Sequence, residues 1–159
     1  MAPPCRRRAS SGCRRARAMI QPYLFFEGRT EEALEFYRRA LGAEVSTLLR
    51  YGESPAPGSC PDGSAPPADK VMHAEFKVGD SLLMASDGFC GGKPHFMGFS
   101  LSYPARNPAD ARKRFDALST GGHVHMPLGE TFFASAFGMV TDRFGVPWMV
   151  IAGQKEVSQ

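Results

Sequence analysis

His73 and Glu75 stand two residues apart in Val71-Met-His-Ala-Glu-Phe-Lys-Val78, a segment whose alternation reads as a β-strand. Met72, Ala74, Phe76 and Val78 fall on one side of such a strand. His73, Glu75 and Lys77 fall on the other. An imidazole and a carboxylate on one strand face suit acid–base work or a metal ion. With Asp87 from a neighbouring strand they make three ligands, the minimum for a catalytic zinc or manganese site with an open position. The plainer reading is a hydrogen-bonded strand face with Lys77 as a partner.

Other residues suit binding. Tyr23, Phe132, Phe133 and Trp148 are large aromatics of the kind that line apolar pockets. Arg143 has the planar fork that clamps a carboxylate or phosphate, or it is a loop charge. His123 and His125 flank one strand at i and i+2, and a cation just after a helix end is favourable in itself. Asp142 and Gly145 read as turn residues.

The elements that position these residues come twice. Ile20–Phe26 reads as a strand, followed by a helix with Thr30 as its expected N-cap and Gly42 as its left-handed stop. Glu44–Tyr51 is the next strand, and Gly52–Asp69 is a long loop rich in Gly, Pro and Ser. Val71–Val78 and Ser81–Asp87 form a hairpin through Gly79-Asp80. After a loop at 88–94 the order repeats. Met97–Tyr103 alternates as a strand, and Asn107 caps a helix with Pro108 at its first position. Gly121-Gly122 ends that helix, His123–Met126 is a strand, and Phe133–Thr141 with Val146–Ala152 is the last hairpin. Tyr37 and Phe115 match at an offset of about seventy-eight residues. The expected class is α+β: two tandem βαβββ modules whose curved, mostly antiparallel sheets surround a pocket, helices outside.

The 159-residue chain divides as a basic extension over 1–18, one domain over 19–153 with modules near 19–88 and 95–153, and a tail at 154–159. The formal charge of +3 belongs to the extension, which carries six arginines and no acid. The remainder holds thirteen Lys and Arg against sixteen Asp and Glu, so it has no nucleic-acid footprint. For the extension, an unstructured segment is the expectation; a transit peptide or phosphate-binding arm is the alternative. No apolar run is long enough for a membrane helix. Four scattered cysteines without a C-x-x-C pair suggest no disulfide framework or zinc knuckle, hence a reducing cytoplasm.

Several words occur in order: Pro22-Tyr-Leu-Phe-Phe26, Ala33-Leu-Glu-Phe-Tyr37, Leu41-Gly42, His73-Ala-Glu-Phe76, Leu83-Met-Ala-Ser-Asp87, Met126-Pro-Leu128 and Phe137-Gly-Met-Val-Thr-Asp-Arg-Phe-Gly-Val-Pro-Trp148. With the doubled unit they resemble the vicinal oxygen chelate superfamily (glyoxalase I, extradiol dioxygenases, bleomycin-resistance proteins), and its PhnB-like branch in particular. The resemblance covers about residues 19–153. One departure is Phe133-Ala-Ser135, where the branch usually carries Trp-Gly.

Metal-dependent members of that superfamily place His or Glu ligands on the first and last strands of each module. By that resemblance the ligand places here fall on Pro22, on Leu83 or Met84, on Gly98 and on Met149. None is a hard ligand for a divalent cation. The expectation is therefore metal-independent binding of a small organic molecule in an aromatic-lined cavity. The candidate lining is Tyr23, His73, Glu75, Phe132, Phe133, Arg143 and Trp148, with no cofactor. The alternative is a divalent-metal lyase, isomerase or dioxygenase with its site relocated to His73, Glu75 and Asp87. A quinone methyltransferase, a label often attached to the branch, has no support in a glycine-rich loop between strand and helix. The resemblance also implies a homodimer.

Overall fold

A computed structural model describes residues 19–56, 58–88 and 92–156. The extension over 1–18 and the last three residues lie outside them. The first module comprises β1 (Tyr23–Phe25), α1 (Thr30–Leu41), β2 (Glu44–Arg50), β3 (Val71–Val78) and β4 (Ser81–Ser86). The second comprises β5 (Leu101–Pro104), α2 (Pro108–Ser119), β6 (His123–Gly129), β7 (Ala134–Thr141) and β8 (Pro147–Gln154). The long loop opens with one 3₁₀ turn, Tyr51–Glu53.

Each module folds into a four-stranded sheet of the same plan, β1-β4-β3-β2 and β5-β8-β7-β6. In each, the first strand runs parallel to the last and the other pairs are antiparallel. The sheets remain open, with β1, β2, β5 and β6 as edges, so no barrel closes. One apolar core joins the modules. Leu24, Phe26, Ala74 and Phe76 of the first sheet and Val140, Trp148 and Val150 of the second are buried together with Leu34 and Tyr37 of α1 and Phe115 and Leu118 of α2. The opposite face of each sheet is open.

The helix ends show how local chemistry and tertiary packing divide the work. Asn107 caps α2 as its sequence predicts, accepting from the Asp110 amide at 2.8 Å, with Pro108 in the first turn. Gly42 ends α1 at φ 71, the left-handed conformation glycine adopts without Cβ strain. The start of α1 departs from expectation. Thr30 is the first helical residue rather than the cap, and its amide donates to the Asp87 carboxylate 57 residues away.

Three further expectations need correction. The first strand covers only Tyr23–Phe25, with Ile20 wholly exposed, because pairing begins where β4 supplies a partner. The fifth strand starts at Leu101, not Met97: Gly98 turns at φ 79, and only Leu101–Pro104 have β8 beside them. Cys60 is buried and disulfide-bonded, although no sequence spacing announced it. That bond withdraws the cysteine pattern as a ground for a reducing compartment. Among the described residues no helix is long and apolar enough to cross a membrane.

Candidate functional site

Strand pairing allows the two modules to be matched residue by residue. Met84 of β4 pairs with Tyr23 of β1 and Glu75 of β3, while Met149 of β8 pairs with Ser102 of β5 and Met139 of β7. Pro22 therefore corresponds to Leu101 rather than to Gly98, which lies outside the strand. Leu83 corresponds to Trp148.

These four residues meet. Pro22, Leu83, Leu101 and Trp148 line a cleft of about 720 Å³ between the edges of the two sheets. Tyr103 adds a second ring, while Arg106 and Asp80 supply charge. The volume falls within the few hundred to a thousand Å³ typical of small-molecule sites, and the lining mixes this apolar wall with polar groups, Gln21, Ser81, Ser100 and Ser102 among them. Sequence reasoning found Trp148 but missed Leu101, Tyr103 and Arg106. Their signal is the pairing of β5 with β8, which no local pattern carries.

Trp148 also anchors the core. Its indole N–H donates to Asp142 Oδ2 at 2.9 Å, and the Tyr37 hydroxyl donates to the same oxygen at 2.7 Å. The amides of Phe144 and Val146 donate to Oδ1 at 2.8 and 3.1 Å. Four donors hold this buried carboxylate, yet burial pushes its pKa up from the usual aspartate value. Desolvation beside that charge pushes the Tyr37 phenol well above its ordinary value. Asp142 is thus a turn residue, as its sequence suggests, and also the polar centre of the core.

Tyr23, His73 and Glu75 come together elsewhere, on the open face of the first sheet. Tyr23 Oη lies 3.1 Å from His73 Nδ1, and His73 Nε2 lies 3.4 Å from Glu75 Oε1. In the Nε2–H tautomer the phenol donates to Nδ1 and Nε2–H donates toward the carboxylate; in the other tautomer Nδ1–H donates to the phenol oxygen. The Phe25 ring sits 5.1 Å from that of Tyr23 and is two-fifths exposed. Leu49, paired with His73 across β2 and β3, continues the apolar surface.

Asp87 does not join them. Its Oδ1 accepts from the Thr30 amide at 2.9 Å and its Oδ2 from the Val71 amide at 2.7 Å, both buried. A carboxylate so engaged leaves His73 and Glu75 short of a third ligand. Among the described residues no three His, Cys, Asp or Glu side chains are grouped to hold a metal ion. Nor do the places implied by the superfamily fit one: Pro22, Leu83, Met84 and Met149 offer no hard donor.

Phe132 and Phe133 stack edge to face with each other, and Phe133 with Phe137, at the start of β7. They line neither the cleft nor the Tyr23 face. Arg143 lies over the Phe36 ring at 5.1 Å and donates to the Thr120 carbonyl, so its fork is engaged in the fold. His123 and His125 meet edge to face at 4.7 Å, and His125 Nε2 is 2.7 Å from the Thr141 hydroxyl. A smaller pocket of about 200 Å³ lies between Glu27, Tyr51, Lys70 and the bound-up Asp87.

Known proteins share this fold. The family described as 3-demethylubiquinone-9 3-methyltransferase matches residues 18–151. Protein YjdN of Escherichia coli is 35% identical over 145 residues, covering 88% of this chain and 99% of that protein. Among solved structures, PA1353 of Pseudomonas aeruginosa is 42% identical with a TM-score of 0.73, covering 87% of this chain and 99% of its own. A putative 3-demethylubiquinone-9 3-methyltransferase, PhnB protein, from Bacillus cereus is 28% identical with a TM-score of 0.71, over 86% and 100% of the two chains. The fosfomycin resistance protein FosX of Listeria monocytogenes, complexed with Mn(II), shares the fold alone: 8% identity and a TM-score of 0.59 over 87% and 93%. The chain belongs to the 3-demethylubiquinone-9 3-methyltransferase family, the PhnB-like branch of the vicinal oxygen chelate superfamily.

Proposed function

We propose that this protein binds a small organic molecule, without a metal ion, in the cleft between its two modules. The observation that carries this reading is the cleft itself, of ligand size and walled by Pro22, Leu83, Leu101, Tyr103 and Trp148. Residues at the superfamily's metal positions, Pro22 and Leu83, serve here as apolar wall. Arg106 at the rim suits an acidic group on the ligand.

The methyl transfer in the family's description is not part of this reading. Such chemistry calls for a donor cofactor held by a glycine-rich turn, and the link from β1 to α1 is Phe26-Glu-Gly-Arg29, with one glycine. A second copy of the chain is the partner we expect. Met126, on the open face of the second sheet, is an exposed apolar group that a homodimer would cover. Sedimentation velocity should show a dimer at micromolar concentration; a monomer there removes this part.

The cleft is tested by a thermal-shift screen of small organic acids with metal-free protein. A true ligand at one hundred times its Kd stabilises the native state by about 2.7 kcal/mol. Leu101→Trp fills the cleft and should abolish the shift while Phe132→Ala preserves it. A shift that survives Leu101→Trp, or one that requires stoichiometric divalent metal, defeats the proposal.

A further inference from the structure

The hydrogen-bonded chain on the open face of the first sheet is not required by the fold. The matching positions of the second module are Ser102 for Tyr23, Met139 for Glu75 and Phe137 for His73, and they build the same sheet with the same register. Nor does the cleft use it, because Tyr23 points to the face of β1 opposite Leu24, which is buried in the core. Three polar side chains in line, at 3.1 and 3.4 Å, therefore stand where a serine, a methionine and a phenylalanine suffice.

Their order is that of an activated oxygen, a base and an orienting acid. Glu75 holds the imidazole with Nε2–H toward itself, which turns the Nδ1 lone pair to the Tyr23 hydroxyl. Tyr23 is more than one-third exposed, so the end of the chain reaches solvent, and the His73 and Glu75 side chains are partly exposed beside it. The charged or titratable neighbours are Tyr51, which interacts electrostatically with Tyr23, and Lys77 further along β3; the paired residues Leu49 and Met84 are apolar. Beside the hydroxyl, the Tyr23 and Phe25 rings offer an aromatic platform.

We infer that Tyr23, His73 and Glu75 form a second functional site, a general acid–base relay that exchanges a proton with a planar, weakly acidic organic molecule resting on the Tyr23 and Phe25 rings. Tyr23 is the catalytic residue. His73 takes up the phenolic proton, and Glu75 positions and charge-balances the imidazolium. In the forward step the ligand's C–H proton passes to Tyr23 Oη while the Tyr23 proton passes to His73 Nδ1. The C–H electron pair remains on the ligand and expels its leaving group, and His73 then returns the extra proton to water.

Nitrobenzisoxazole is a suitable probe, because loss of its ring C–H proton forms a nitrile as the N–O bond breaks and a coloured cyano-nitrophenolate leaves. The full chain should eliminate it at least about a hundredfold faster than equimolar free histidine and tyrosine, the low end of what positioned proton transfer contributes. Tyr23→Phe and His73→Gln should each lower kcat about tenfold or more with KM nearly unchanged, and Glu75→Gln by a smaller factor. His125→Gln, on the other sheet, should leave the rate unchanged. Nitrogen NMR of the imidazoles keeps the test independent of folding: wild-type His73 should be the Nε2–H tautomer, as in the Tyr23→Phe protein. A Tyr23→Phe rate equal to wild type, a wild-type rate no better than the free amino acids, or an Nδ1–H tautomer of His73 overturns the relay.

Discussion

The two modules repeat one chain path and differ in where they keep their carboxylates. In the first, the turn between β3 and β4 is Gly79-Asp80, short and exposed at the rim of the cleft. In the second, the connection between β7 and β8, residues 142–146, is three residues longer and folds inward. Asp142 occupies the place of Val78, and Phe144 packs against Phe26, Phe36 and Tyr37 of the first module. The second module thus plugs its turn into the first, and the first returns the Tyr37 hydroxyl. Tyr37 itself corresponds to Phe115, which has no such hydroxyl. Duplication fixed the backbone, and the polar contacts then specialised.

Asp142→Ala should have the largest effect of any single change. It strands two side-chain donors and two amides in the core, and each buried donor left without a partner costs about 1–3 kcal/mol. Asp80→Ala, in the matching turn, should stay within about 0.5 kcal/mol as surface changes do. Urea unfolding of both variants is the measurement; equal losses would erase the contrast between the turns. The titration has a sign as well. Because the folded pKa of Asp142 is raised, its contribution is fully present below the unfolded value near 3.8 and is lost as pH rises through the folded value. Wild type should therefore gain stability relative to Asp142→Asn as pH falls through that window. A gain on raising pH would mean that the four donors outweigh burial.

The helix N-termini sharpen the same contrast. Asp87 ties α1 and β3 together across the sheet, whereas its register counterpart Ala152 does nothing of the kind and α2 relies on Asn107. Asp87→Ala should cost about 2–3 kcal/mol, since both bonds are buried and charge-assisted. Asn107→Ala should cost about 1 kcal/mol, the usual value of an exposed cap. Hydrogen exchange would separate them further: the first turn of α1 should open in Asp87→Ala while α2 remains protected. If the two variants lose equally, the remote cap is no different in kind from the local one.

Much of this was legible in the residues themselves. Alternation placed β3 and β4, and Asn107-Pro108 and Gly42 placed three-dimensional helix ends, because those signals act through neighbours in the chain. In the sequence Asp87 reads as a metal ligand of the alternative site, because an aspartate after a strand gives no sign of which amides it will meet. The Thr30 amide lies 57 residues away, and only the parallel pairing of β1 with β4 brings them together. Asp142 was read correctly as a turn residue and incompletely as nothing more. For the cleft, Trp148 was visible as an aromatic, but Leu101 became a wall only through its pairing with β8. The Tyr23–His73–Glu75 chain is legible in one of its two links, His73 to Glu75. The other, Tyr23 to His73, spans 50 residues.

The open faces permit the gentlest and most discriminating test. Converting Tyr23, Glu75 and His73 to Ser, Met and Phe writes the second module's residues into the first. The exchange removes two hydrogen bonds on a half-exposed face, each worth about 0.5–1.5 kcal/mol net, and adds apolar contact from Phe and Met. The two effects oppose one another, so the unfolding midpoint should move by no more than about 1 kcal/mol equivalent, within the range of ordinary surface change. Elimination of nitrobenzisoxazole should disappear in the same protein. Stability retained with proton transfer lost would place the three residues outside the requirements of the fold. A loss as large as that of Asp142→Ala would make them a structural anchor of the first module, the counterpart that the turn carboxylate provides for the second.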